Sequence, residues 1–290
     1  MSLEAEVRFK IGGMVIALVT KDQGNFSIDD SYKRFLTDET SQVRLRAACG
    51  DVDDFQGWQK VFETGGVWQL YRKALQWGVS LGSPVLGDGP YQIAIFDDDF
   101  LSGEIITDTS KFAAGYVPFP LRYPLAEVLM INLLGRGRGV LVHACAVKDG
   151  ERGLLFAGTS GAGKSTTARI WENVEGATLL SDDRVILRKR NGRFLIYGTP
   201  WHGDARAVSP EVVPLTDIYI LEHAEENKVE AVKPIQATSQ LFVRSFPPFW
   251  DQAGVDYSLG FLAELSQAVP CQTLGFVPDA GMVDFIRCLG

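Results

Sequence analysis

The chain has no apolar run that approaches the roughly 18 residues of a membrane span. Its longest candidate, 125–134, is interrupted by Glu127 and Asn132 and reads as a core helix. A charged-then-apolar leader is also missing, so the expected setting is the cytoplasm, with no membrane partner. Cysteine is scarce: Cys49, Cys145, Cys271 and Cys288 form no C-x-x-C pair and sit mostly in apolar surroundings. That excludes a disulfide framework and a zinc site, and predicts reduced core thiols. Basic charge is short as well, with 28 Lys and Arg against 36 Asp and Glu and a net charge of −8. A surface of that sign does not attract a strand of phosphates, so no nucleic acid is expected as a partner, while a local basic patch around a nucleotide stays compatible with it. There is no internal repeat and no low-complexity tract.

What is present is an ordinary globular composition, 46% hydrophobic and 22% charged over 290 residues, enough for one large or two modest domains. Residues 1–115 read as a β-rich N-terminal domain. Short runs at 7–11, 14–19 and 91–96 alternate with acidic and glycine-containing turns. The aromatics Trp58, Trp68, Tyr71 and Trp77 suit core packing better than a ligand groove. The prolines at 118, 120 and 124 mark a boundary, and residues 116–290 form a second domain that opens with the helix at 125. Strands are expected at 140–147, 154–157, 178–180, 185–188, 194–197, 218–221 and 273–277, with a closing helix at 280–288. The turn 148–151 predicts a hairpin and hence a mixed sheet, and Asn191-Gly192 is the dipeptide of a tight hairpin.

The most informative stretch is Gly158-Thr159-Ser160-Gly161-Ala162-Gly163-Lys164-Ser165, which fits G-x-x-x-x-G-K-[ST] between an apolar strand and the amphipathic helix that begins at Thr166. Such a turn aims successive backbone N–H groups at one point, and the helix adds its positive dipole end, so together they hold phosphate oxygens. Glycine is required where a side chain would collide with phosphate or where φ is positive. Lys164 is then expected at the β/γ-phosphates and Ser165 on Mg²⁺, which makes ATP and Mg²⁺ the expected cofactors. Eighteen and nineteen residues after Lys164 come Asp182 and Asp183, at the end of a short apolar strand expected beside the loop strand. One can ligate the metal and the other can accept the proton of an incoming hydroxyl. Neighbouring side chains on an extended chain point opposite ways, so the two do not share one task; capping of a turn is the structural alternative. His143, one of three histidines, lies on the strand before the loop strand, where a satisfied core histidine is the common outcome.

His143, the loop from Gly158, and Ser181-Asp182-Asp183-Arg184-Val185 together resemble the catalytic core of HPr kinase/phosphorylase, over about 138–190. More distantly, the same core resembles that of ATP-dependent phosphoenolpyruvate carboxykinase. The resemblance implies an α/β phosphate-loop core of the HPr kinase/carboxykinase type with a mixed sheet. It also implies a role for His143 near the γ-phosphate or the acceptor. Downstream the chain departs from the HPr kinases: Tyr197-Gly198-Thr199-Pro200-Trp201-His202-Gly203-Asp204-Ala205-Arg206 stands where they carry an arginine- and glycine-rich signature. There it looks like the shorter HPr-kinase-like proteins. Trp201, His202, Asp204 and Arg206 are candidates for acceptor recognition or for a cation near the transferred group. Arg184 either approaches phosphate or pairs with a neighbouring aspartate, and His223 reads as a surface residue.

The expected activity is transfer of the γ-phosphate of ATP to a serine-type hydroxyl of a protein, peptide or small molecule. The catalytic set is Lys164, Asp182, Asp183 and His143, the nucleotide-binding set is 158–166 including Thr166, and the metal set is Ser165, Asp182 and Asp183. The rivals are a nucleotide-gated binding protein and a plain NTPase. Homo-oligomers are compatible with the resemblance.

Overall fold

The computed structural model describes residues 4–20 and 26–289. The protein is mixed α/β with two multi-stranded mixed sheets, and it packs as two compact units divided between Leu133 and Leu134.

The first unit holds β1 (Ala5–Ile11), β2 (Met14–Thr20), the short helix α1 (Asp30–Lys33), β3 (Val43–Cys49), β4 (Gln59–Thr64), β5 (Trp68–Lys73), β6 (Gln76–Gly82), β7 (Pro90–Asp97) and β8 (Ser102–Thr107). They form one eight-stranded sheet in the order β1-β2-β3-β8-β7-β6-β5-β4. The pairs β2–β3 and β3–β8 are parallel and the others antiparallel. All seven residues of β2 are buried, as expected of an unbroken apolar run. Trp68, Tyr71 and Trp77 are buried, and Trp58 packs edge-on to Phe55 at 4.9 Å, so the aromatics serve packing.

Helix α2 (Leu125–Gly135) carries the division between the units. The second unit continues with β9 (Val140–Asp149), β10 (Arg152–Ala157), α3 (Lys164–Glu172), β11 (Ala177–Ser181), β12 (Arg184–Arg190), β13 (Arg193–Tyr197) and β14 (Val212–His223). It ends with β15 (Lys228–Ala231), α4 (Pro234–Phe242), α5 (Gln252–Ala268), β16 (Cys271–Phe276) and α6 (Gly281–Cys288). Two long strands organise it. The first half of β9 pairs with β12 and its second half with β10 and β11. The start of β14 pairs with β13, and its remainder runs parallel to both β10 and β16. The ring β10-β9-β12-β13-β14 therefore closes on itself. The hairpin β9–β10 is antiparallel, and Asn191 and Gly192 turn β12 into β13 with φ of 50° and 76°.

Alternation along the strands feeds two cores. Leu155 and Ala157 of β10 join Val142, Ala144 and Ala146 against α4 and α5. Leu154 and Phe156 face the other way, with Trp171 of α3 and Met282, Val283 and Ile286 of α6. Helix α3 buries Lys164, Thr167, Ala168 and Trp171, the i, i+3, i+4, i+7 spacing of one face. Each fully buried large side chain such as Trp171 or Phe156 contributes about 1.5–3 kcal/mol relative to exposure.

Two expectations are corrected, and one stretch without an assigned element gains two helices. Strand β11 does not adjoin β10, because β9 lies between them; β10 and β11 still run the same way, so their ends meet at one edge. Of the cysteines, Cys145 and Cys271 are buried, whereas Cys49 and Cys288 are exposed. Helices α4 and α5 fill a stretch to which the apolar pattern assigned no element, since the first half of α5 packs through the small residues Gly254 and Ser258. Among the described residues no helix is long and apolar enough to cross a membrane.

Candidate functional site

The end of β10 passes into a turn, Gly158–Gly163, that delivers the chain to α3. Gly163 sits at φ 103°, a conformation open to glycine, and a Cβ there would lie 2.5 Å from the Phe276 ring. Gly161 also has positive φ, at 80°. The turn is closed by Ala162 N donating to Thr159 O at 3.2 Å and Thr167 N donating to Gly163 O at 2.8 Å. Ser160 is exposed, while Ser165 and Thr166 are half-buried in the first turn of α3. Lys164 is buried and folds back over the turn, its Nζ donating to Gly158 O at 2.9 Å and Thr159 O at 3.0 Å. Burial pushes this ammonium below its usual range; the charge of Asp183 opposes that, and those of Arg244 and Arg184 add to it.

Asp182 and Asp183 follow β11 and separate completely. Asp182 is buried, and its Oδ1 and Oδ2 accept the N–H groups of Gly203 and Ala205 at 2.9 and 2.7 Å. Asp183 is half-buried. Its Oδ1 lies 2.8 Å from His143 Nδ1 and 2.8 Å from an Arg184 guanidinium nitrogen. Register explains the meeting, because Arg184 on β12 pairs directly with His143 on β9. His143 Nδ1 also lies 3.1 Å from Asp183 O. A ring nitrogen facing two oxygen acceptors carries the proton, which leaves Nε2 with its lone pair in the neutral ring. Arg184 Nη1, 3.1 Å from that same nitrogen, then donates to Asp183 rather than to the imidazole. Burial alone would raise the Asp183 carboxyl. The His143 hydrogen bond and the charges of Arg184 and Lys164 outweigh it and hold the group below the usual carboxylate range.

Two residues outside the expected set reach this edge. Segment 244–246 runs along β9, with His143 N donating to Arg244 O at 2.7 Å and Phe246 N to Leu141 O at 2.9 Å. Arg244 spends one donor on Gln240 O at 2.6 Å, while its buried Nε has no partner. Burial lowers its affinity for the proton, and its charge is felt at Lys164. The Arg184 guanidinium lies over the Phe246 ring at 4.4 Å. His223, exposed as expected, nevertheless donates from Nε2 to Gly161 O at 2.9 Å and stacks on Phe276. It ends β14, which runs parallel to β10, and the ends of parallel strands gather at one edge; strand direction was the signal that could have found it. No comparable signal marks Arg244. His223 also lines a groove of about 660 Å³ with Glu222, Glu225, Glu226 and Glu230, carboxylates that repel a polyphosphate.

Chemically, the edge offers oxygen ligands and cations. Among the described residues no three of His, Cys, Asp and Glu are grouped to hold a metal unaided. Mg²⁺ does not need such a cage, because it is commonly held by one or two protein oxygens, nucleotide phosphates and water. Ser165 offers an oxygen for that use, and so does the second carboxylate oxygen of Asp183; both oxygens of Asp182 accept backbone N–H groups. Cys145 beneath the site is fully buried, and burial pushes its thiol up, so it is a packing residue.

No family model and no curated protein matches the sequence. Among solved structures, the HPr(Ser) kinase/phosphatase from Coxiella burnetii is similar at a TM-score of 0.29 and 13% identity, over 51% of this chain and 91% of that chain.

Proposed function

We propose that residues 134–290 form a phosphotransferase that uses ATP with Mg²⁺ and passes the γ-phosphoryl group to a serine-type hydroxyl of a protein, peptide or small molecule. The observation that carries this reading is the placement of Asp183, with His143 and Arg184 on one of its oxygens, close enough to the Gly158–Gly163 turn for its charge to be felt at Lys164. The turn and the α3 N-terminus hold the phosphates through backbone N–H groups. Lys164 exchanges its hydrogen bonds to Gly158 O and Thr159 O for phosphate oxygens and spreads the charge of the transferred group. Ser165 holds Mg²⁺, which when bound screens the phosphate charge.

Asp183 stays ionised through neutral pH because His143 and Arg184 hold it so, and its second oxygen orients the acceptor hydroxyl and takes its proton. His143 fixes the rotamer of that carboxylate. Arg184 and Arg244 supply cations on the same edge. Most of the acceleration in such a site comes from positioning and preorganised charge. Incubation with γ-labelled ATP and Mg²⁺, offered separately to the macromolecular and small-molecule fractions of a lysate, tests the reading. Label transferred to either fraction, and lost in Lys164→Ala, is the expected result. Tight ATP binding with no transfer would replace it with a nucleotide-gated binding protein, and release of free phosphate alone with an NTPase.

A further inference from the structure

The carboxylate of Asp182 is 3% exposed, yet both of its oxygens are committed to one short stretch of backbone, Gly203 N at 2.9 Å and Ala205 N at 2.7 Å. Asp204, between them, makes no such bond and is exposed with His202 and Arg206. The stretch is bound to the same strand end by further bonds. Ser181 Oγ donates to Trp201 O at 3.4 Å and accepts from the N–H groups of Asp183 and Arg184 at 3.3 and 3.2 Å. Thr199 Oγ1 donates to Arg184 O at 2.5 Å, and Ser181 bridges Val208. Residues 181–184 and 199–208 are therefore laced together by groups from both sides. Gly203 is pressed against the clamp, since a Cβ there would stand 3.0 Å from Asp182 Oδ2 and 3.4 Å from Asp183 Cβ.

We propose that Asp182 is a positioning residue: its buried carboxylate holds the 201–206 turn, with His202, Asp204 and Arg206 on its outer face, against the strand end that carries Asp183, and it binds no metal. A buried anion that accepts two backbone N–H groups makes strong, short hydrogen bonds, and turning it towards a cation would strand both donors. The proposal rests on the phosphotransferase reading only for what the turn is for; the clamp itself is a structural claim.

The test is residue-resolved amide hydrogen exchange on the full chain, together with the Mg²⁺ dependence of ATP binding. In the wild type the amides of Gly203 and Ala205 should exchange more slowly than that of Asp204 by about tenfold or more, as loss of a hydrogen bond to a charged group implies. Asp182→Asn should erase that alternation and leave the Mg²⁺ concentration for half-maximal ATP binding within about twofold of the wild type, less than the roughly 10- to 100-fold that even an outer-shell partner of a metal costs when lost. Gly203→Ala loosens the same clamp from the turn side and should give the same pattern, which covers the case in which Asp182→Asn fails to fold. Equal exchange at 203, 204 and 205 in the wild type would overturn the proposal. So would a tenfold rise in the Mg²⁺ requirement of Asp182→Asn, since about tenfold is already the cost of losing an outer-shell partner of a metal. If the wild type binds no ATP, the phosphotransferase reading fails while the exchange pattern still decides the clamp.

Discussion

The two sheets are made from the same strand chemistry and differ in what their edges collect. In the first, β4 to β7 pair with their sequence neighbours, and the ion pairs are surface ones such as Arg44–Glu6 and Lys60–Glu63. Pairs of that kind add at most about 1 kcal/mol each. In the second, β9 and β14 pair with strands remote in sequence, and His143, Lys164, the neighbours Asp183 and Arg184, His223 and Arg244 arrive at one edge from five different places in the chain. An antiparallel meander returns each strand beside the last and keeps its turns local. Long strands that each pair with several partners, as β9 and β14 do, bring side chains distant in sequence to one end of the sheet. Under the proposed reading, the chemistry belongs to the second unit.

The largest blow to that division would come from Lys164→Ala. Transfer should fall by about 10³-fold or more, while the thermal midpoint should not drop, because removing a buried ammonium relieves its desolvation. Unchanged turnover in the labelled-ATP assay would reduce the charged edge to architecture. Asp183→Asn should lower kcat by about 10²- to 10⁴-fold, with little change in the ATP dissociation constant measured by titration calorimetry; small, equal losses in both would point to packing.

On the other sheet, Leu70→Ala removes a fully buried side chain of β5 and should cost about 2–5 kcal/mol in denaturant unfolding. ATP affinity should stay at the wild-type value, and a parallel fall in affinity would break the division of labour. Arg244→Ala should weaken ATP relative to ADP by about tenfold, the effect of one lost hydrogen bond to a charged group; an unchanged ratio would remove Arg244 from the proposed phosphate site.

The smallest effect concerns acid. The Asp183 carboxyl is held below its ordinary value in the folded chain, so its pairing stabilises fully above the ordinary carboxylate range of about 4 and is lost as pH falls through the folded value. Wild type should lose more stability than Asp183→Asn on acidification below that range, as read by urea midpoints at successive pH values. Parallel curves would show that His143 and Arg184 do not hold the charge.

Legibility followed locality. The Gly158–Gly163 turn could be read because its constraints are local: positive φ at Gly161 and Gly163 calls for glycine wherever the segment lies. Asn191-Gly192 was readable for the same reason, and α3 because its buried face recurs at helical spacing. His143 on its own looked like a core residue, and only its partner 40 positions away gives it another setting. Arg244 carried no pattern at all. That Asp182 and Asp183 diverge follows from strand alternation, but which of them turns towards 203–205 depends on how that turn docks.

The sequence by itself therefore determined the mixed α/β class, the β-rich first part, the glycine turn between strand and helix, and the scarcity of basic charge, since each depends on composition or on residues close along the chain. Only the tertiary structure decided that β9 separates β10 from β11, that His143 and Arg184 share one oxygen of Asp183, that Asp182 is spent on backbone, and that Arg244 and His223 reach the same edge. Those outcomes are long-range pairings, fixed by strand register and by the need to satisfy buried polar groups, and no window of sequence contains both partners.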